Sequence, residues 1–201
     1  MRVKTQAKRE AILQEASKAF IELGFERTSM AEISARAGGS KATLYGYFAS
    51  KEQLFLEVVL SAGEKHVQPA IEELSQSVEG EEQGALQRFG EDFIGYLCQP
   101  EAVSIQRMVI AESGHTEIGR LFFEAGPQMG NDKIAKFLKR AMSGGHLRRA
   151  DPMVAAEHLL GLLTAELMPK RLLGLPVNTS TTEIRKIVGR AVTAFMAAYA
   201  V

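Results

Sequence analysis

Between Ser40 and Lys51 the chain gathers hydroxyl, ammonium and phenol groups at the spacing of one short helical face: Ser40, Lys41, Thr43, Tyr45, Gly46, Tyr47 and Lys51. The chemistry open to such a set is recognition of a nucleic acid. Ser40, Lys41, Thr43 and Gly46 fall toward a groove, where hydroxyl and ammonium donors can address base edges. Tyr45, Tyr47 and Lys51 can reach phosphates, which position a protein on a duplex without reading its sequence. Leu44 and Phe48, four residues apart, point the other way and fix the helix to its neighbours. Taken singly, the tyrosines read equally well as half-buried aromatics and Lys41 as a solvated charge. The turn and caps around them favour the DNA reading.

Those groups need a rigid frame, and residues 28–55 supply its signals. Ser29 and Glu32 have the S-x-x-E spacing of a capping box, in which each residue satisfies a free backbone donor of the other. Ile33 and Ala37 share a face, and Gly38 can take the left-handed conformation that ends a helix. Ser40 can cap the next helix, Lys41 to Phe48, and Ser50 with Gln53 forms a second capping box directly after it. Two helices of about two turns joined by a tight turn are a helix-turn-helix, whose second helix lies in the DNA major groove.

Residues 9–55 resemble the N-terminal domain of the TetR family of transcriptional regulators. The likeness runs through Ala16, Phe20 and Gly24-Phe25, then Thr28-Ser29, Ile33-Ser34 and Ala37-Gly38. It continues through Ser40-Lys41, Leu44-Tyr45, Tyr47-Phe48 and Ser50-Lys51-Glu52, and ends at Leu54-Phe55. By this resemblance Thr28 and Ser29 join the DNA-facing set. Two positions depart from the family pattern. Gly39 replaces a small apolar residue in the turn, which implies looser packing between the two helices. Gly46 stands where a larger side chain is usual, at a propensity cost of about 1 kcal/mol; it either lets the backbone approach the DNA or removes one contact.

Composition agrees with an all-α protein. The chain has 201 residues, 46% of them hydrophobic, enough for a small head, residues 1–50, and a larger body, 51–201, with its own core. No leader and no apolar run of about 18 residues is evident, so the expectation is a cytoplasmic protein with no membrane partner. Asn178-Thr179-Ser180 matches a glycosylation sequon but reads more simply as a loop leading into a helix. The formal net charge of zero is unevenly spread: residues 1–51 carry nine Lys and Arg against five Glu. From Glu64 to Glu101 the balance reverses, with nine acids against Lys65 and Arg88. A basic head is what phosphate binding requires, and so modest an excess implies that two heads act together. Arg2, Lys4, Lys8 and Arg9 form either an arm along the DNA or a solvated terminus.

An enzyme is the rival class, and little supports it. The four histidines lie on separate segments without metal-ligand spacing, and Cys98 is the only cysteine. Ser113-Gly114-His115 is too local to be a nucleophile and its base. No catalytic residue, metal or cofactor is expected. The second rival is a DNA-bound interaction protein of the same fold that tethers a non-transcriptional partner.

Beyond the head, helices are expected over about 51–75 with a bend at Pro69, 84–98, 102–113, 116–125 and 128–143. One from Asp151 to about Leu173 is kinked or ended by Pro169, and a last one after the Ser180–Glu183 capping box runs to about Tyr199. With the head this makes about nine or more helices. In the last helix Ile184, Ile187, Val188, Ala191, Val192, Phe195 and Tyr199 form one apolar stripe. The preceding helix offers Val154, Leu159, Leu160, Leu162, Leu163 and Leu167. A helix apolar around more than half its circumference needs a partner beyond its own core. The TetR resemblance implies that these helices build a four-helix homodimer interface, centred on Val154, Leu159, Leu163, Ile184, Val188, Ala191, Val192, Phe195 and Tyr199. It further implies a palindromic operator in double-stranded DNA and a small-molecule effector that releases a repressor from it. Residues 107–175, with Ala111-Glu112 and Phe123-Glu124-Ala125-Gly126-Pro127, are similar to the AefR-like branch. The expected effector is small and largely apolar. Phe89, Phe93, Met108, Phe122, Phe123 and Met129 are its candidate lining, and His158 and Glu166 its candidate polar orienters. Any one of these aromatics or methionines reads also as plain core.

Overall fold

A computed structural model describes residues 5–201. Among them the chain forms twelve α-helices and no strand beyond an isolated bridge between Leu147 and Ala200. The first four are α1 (Gln6–Leu23), α2 (Met30–Arg36), α3 (Lys41–Tyr47) and α4 (Lys51–His66). Then come α5 (Gln68–Gln76), α6 (Glu82–Leu97), α7 (Pro100–Ser113), α8 (Ile118–Ala125) and α9 (Pro127–Ser143). The last are α10 (Pro152–Ala165), α11 (Met168–Leu172) and α12 (Thr181–Tyr199). Arg2 and Lys4, half of the basic arm anticipated above, lie outside the described residues.

Five of the twelve starts carry the cap read from sequence. The hydroxyls of Ser29, Ser40 and Ser180 accept from the backbone N–H three residues on, and Asp151 accepts from Met153 and Val154. Ser50 accepts from Gln53 N–H at 3.1 Å, while the Gln53 side chain reaches back to Ala49 N–H at 2.7 Å. The box at Ser29 is one-sided, because Glu32 turns to Arg36 instead. Both helices expected to be disturbed by a proline are divided in two. The one over 51–75 divides at Val67, since Pro69 lacks the N–H that would continue the ladder. Likewise α10 ends before Glu166, and Pro169 opens the separate α11.

The chain divides into two compact units. One comprises residues up to Ala62 with Ser104–Phe123, and the other Gly63–Val103 with Glu124–Val201. The head therefore does not stop at residue 50: Leu54, Phe55, Val58 and Val59 of α4, with Ile105, Val109 and Ile118, belong to its core. Phe20, Phe25 and Phe55 form its aromatic centre, with ring centroids 5.1–5.9 Å apart.

In the second unit α6 packs against α5, α10 and α12, and α10 against α9 and α12. Their crossing is tight at Gly90, where a Cβ would stand 2.6 Å from Val188 and 2.8 Å from Leu163. The apolar stripe of α12 is spent here. Ile184, Val188, Ala191, Val192, Phe195 and Tyr199, together with Leu159 and Leu163 of α10, are buried within the subunit itself. This corrects the expected dimer surface. Of the nine residues assigned to it, only Val154 remains exposed, at 43%. The reason is geometric: α6 lies along the stripe and removes it from solvent without a second copy.

Candidate nucleic-acid interface

The turn between α2 and α3 is held by backbone bonds and by side chains from both flanks. Gly38 has φ +63°, the left-handed geometry a glycine accepts freely, and Gly39 N–H donates to Ser34 O at 3.0 Å. The buried Ser34 hydroxyl donates to Gly39 O at 2.8 Å. Lys8 of α1 donates its ammonium to Ala37 O at 2.7 Å. Arg36 bridges Glu32 at 2.8 Å and Glu22 of α1 at 2.6 Å, and these two carboxylates hold its guanidinium pKa above the ordinary value. The turn is thus fastened to α1. A Cβ at Gly39 would meet nothing nearer than 3.9 Å, so this glycine leaves a small gap.

On α3 the buried residues are Leu44 and, at its C-cap, Phe48. The opposite side presents Ser40, Lys41, Ala42, Tyr45 and Gly46 to solvent, Tyr45 being 52% exposed. Thr43 is half-buried and shares a hydrogen bond of 2.9 Å with Ser40. Beyond its chain neighbours and the backbone of its own helix, no heavy atom of the described residues lies within 4 Å of a Cβ built on Gly46, so the helix is bare at that point. Sequence reasoning passed over Ala42, whose methyl lies on the same open face and can meet a thymine methyl. Its place between Lys41 and Thr43 on the donor face was the available signal.

Three residues assigned to DNA are occupied elsewhere. Thr28 is 1% exposed, and its hydroxyl donates to Gly24 O at 2.7 Å and contacts Ala19 O at 3.2 Å, so it ties α1 to α2. Lys51 donates to Phe25 O at 2.9 Å and lies over the Phe25 ring, which makes its ammonium a clamp on the exit of α1. The Tyr47 hydroxyl accepts from Thr5 N–H at 2.9 Å and so holds the start of the described chain against α3. Arg9, from the expected arm, pairs with Glu57 and covers the Phe48 ring. Ser29 stays exposed, with its hydroxyl capping α2.

The eight residues offered as an effector pocket are divided between the two units. Phe89 is core and stacks on half-buried Phe93 at 5.5 Å. Met108 and Phe122 pack against the core of the other unit. Phe123 and Met129 are exposed at 52% and 55%. His158 shares a 2.7 Å hydrogen bond with the Tyr199 hydroxyl, and Glu166 receives a two-pronged bond from Arg190 at 2.9 and 2.6 Å. Phe89, Phe93, Met108, Phe122, His158 and Glu166 each take a partner within their own unit, whereas Phe123 and Met129 face solvent.

A helix-turn-helix with an open donor face, carried by an all-helical chain, defines a DNA-binding regulator of transcription. The chain belongs to the TetR family: residues 12–58 match the family model "Bacterial regulatory proteins, tetR family", and residues 84–201 match "AefR-like transcriptional repressor, C-terminal domain". It is similar to the crystal structure of a TetR-family regulator from Mesorhizobium loti, at 31% identity over 98% of this chain and all of that one, TM-score 0.87. The flavonoid-responsive regulator FrrA is 32% identical over 98% of each chain, with a TM-score of 0.77. The transcriptional activator FasR of Mycolicibacterium smegmatis is 34% identical over 77 residues, 38% of this chain; the chain thus covers only a third of the length of FasR, 33%. These relatives are regulators and not enzymes, and nothing in them supports the tethering alternative. No helix among the described residues is long and apolar enough to cross a membrane.

Proposed function

We propose that the protein is a cytoplasmic homodimeric repressor that binds a palindromic operator in double-stranded DNA and leaves it when a small effector binds. The observation that carries this reading is a second open surface, on α10 and α12. Val154, His158, Gly161 and Ala165 follow one another along α10 at steps of three and four, and Arg190, Ala194 and Ala197 do so along α12; all are exposed. The small Gly161, Ala165, Ala194 and Ala197 let two copies of this helix pair approach closely about a two-fold axis. The dimer face is therefore the outward side of the helices expected from sequence, not their apolar stripe.

A symmetric dimer presents two copies of α3 to half-sites about 34–36 Å apart, which demands a palindrome. Ser40, Lys41, Ala42, Tyr45 and Gly46 read the groove, and Ser29 reaches a phosphate at the start of α2. Repression is supported by the description of the family matched by residues 84–201, and release by a ligand by the flavonoid-responsive relative. The activator FasR matches a smaller share of the chain and weighs less.

Sedimentation velocity combined with anisotropy titrations on fragments selected from random duplexes tests the reading. A dimer that prefers palindromic fragments is the expected result. A stable monomer at micromolar concentration, or equal affinity for every duplex, overturns it.

A further inference from the structure

The second unit contains a cleft of about 460 Å³, a volume within the range of small-molecule sites, to which none of the residues discussed so far as a pocket contributes. One wall is an aromatic platform: the rings of His66 and Tyr96 stack with centroids 4.9 Å apart and planes 12° from parallel. Pro69 and Ile184 supply apolar surface, and Glu91 and Asp92 bring two carboxylates to the lining.

The charges there are unevenly matched. Glu91 is bridged by Arg185 at 3.3 Å, and nearby Glu73 by Arg88 at 3.1 Å. Among the described residues Asp92 has neither hydrogen bond nor ion pair, although it stands in the fields of both carboxylates. Asp92 is exposed, and the partial desolvation it does undergo, then the charges of Glu73 and Glu91, lifts its pKa above the ordinary aspartate value. A bound cation relieves that repulsion, whereas an anion would add to it. His66 covers one face of the half-buried Tyr96 ring, and the aromatic carbons of both residues that line the cleft offer contact to the apolar body of a ligand.

We propose that this cleft binds a small organic cation, an amine with a flat or aliphatic body, whose ammonium pairs with Asp92 while its body lies on the His66–Tyr96 platform. The site stands on its own, whether or not its occupation alters DNA binding.

The test uses the full-length protein, with 2-phenylethylamine as probe and 3-phenylpropionate as its anionic counterpart. Calorimetric titration is followed in parallel by NMR of the His66 and Tyr96 ring resonances. The amine is expected to bind with a dissociation constant below about 1 mM and to shift both rings, and the carboxylate to do neither. Asp92→Asn should weaken the amine by about tenfold or more, since it removes the carboxylate that pairs with the ammonium. Asp132→Asn, away from the cleft, should leave it unchanged. Thermal melting and operator titration of the Asp92 variant separate a lost site from a lost fold and from any failure of the regulator reading. Equal binding of the two probes, unmoved rings at about 10 mM amine, or full affinity in folded Asp92→Asn overturns the assignment.

Discussion

The ammonium of Lys51 and the ring of Phe25 lie 4.1 Å apart, centroid to nitrogen, and the same ammonium donates to the Phe25 carbonyl at 2.9 Å. A cation at the start of α4 thereby closes the exit of α1, and the recognition helix is braced from behind. Lys51→Ala should lower stability by about 1–2 kcal/mol, the loss of one charge-assisted bond and a partly exposed cation–π contact. In a protein of this size that is a fall of about 2–8 °C in Tm. The salt dependence of operator binding should keep its slope, because the Phe25 carbonyl and ring engage the Lys51 ammonium. A slope reduced by about one would return Lys51 to the phosphates.

Thr28 gives the complementary case of a buried hydroxyl. Thr28→Val keeps the shape but removes the hydroxyl that bonds the carbonyls of Gly24 and Ala19. A cost of about 1–3 kcal/mol follows, read by denaturant unfolding. Preference among operator sequences should not change, whereas Lys41→Ala should alter that preference with little effect on Tm.

The crossing of α6 with α10 and α12 depends on Gly90. Gly90→Val places its branches where Val188 and Leu163 already stand, and should cost about 1–3 kcal/mol or more by overpacking. A gain in stability, as expected for any helical glycine with room around it, would show that the crossing can open.

The two faces of α12 should respond differently to charge. Val192→Glu puts a carboxylate at a fully buried position and should unfold the second unit, with loss of the far-ultraviolet helix signal. Ala197→Arg, on the exposed face, should leave the helices intact and yield monomers by sedimentation. A folded, dimeric Ala197→Arg protein would place the dimer face elsewhere.

Much of the helical layout was legible because its signals are local. Ser29, Ser40, Ser50, Asp151 and Ser180 each satisfy donors two or three residues away, so the caps are written in adjacent positions. Leu44 and Phe48 are inward for the same reason, a spacing that only one helical face can satisfy. The likeness of residues 9–55 to the TetR head rests on this same short-range pattern, and it led to the family.

What the sequence could not decide is which partner a side chain meets. Periodicity marks Ile184, Val188, Val192 and Phe195 as buried, but α6 of the same subunit and a helix of another copy present the same apolar chemistry. Only the packing of α6 on α12 chose the former. Thr28 and Lys51 are donors in sequence, and a backbone carbonyl competes with a phosphate for each. The fold placed the carbonyls within 3 Å. The cleft beside Tyr96 joins residues 66, 92 and 184, far apart along the chain, so no local pattern could announce it. Caps and faces are set by neighbours in sequence, whereas the pairing of charges and the filling of volume are set by neighbours in space.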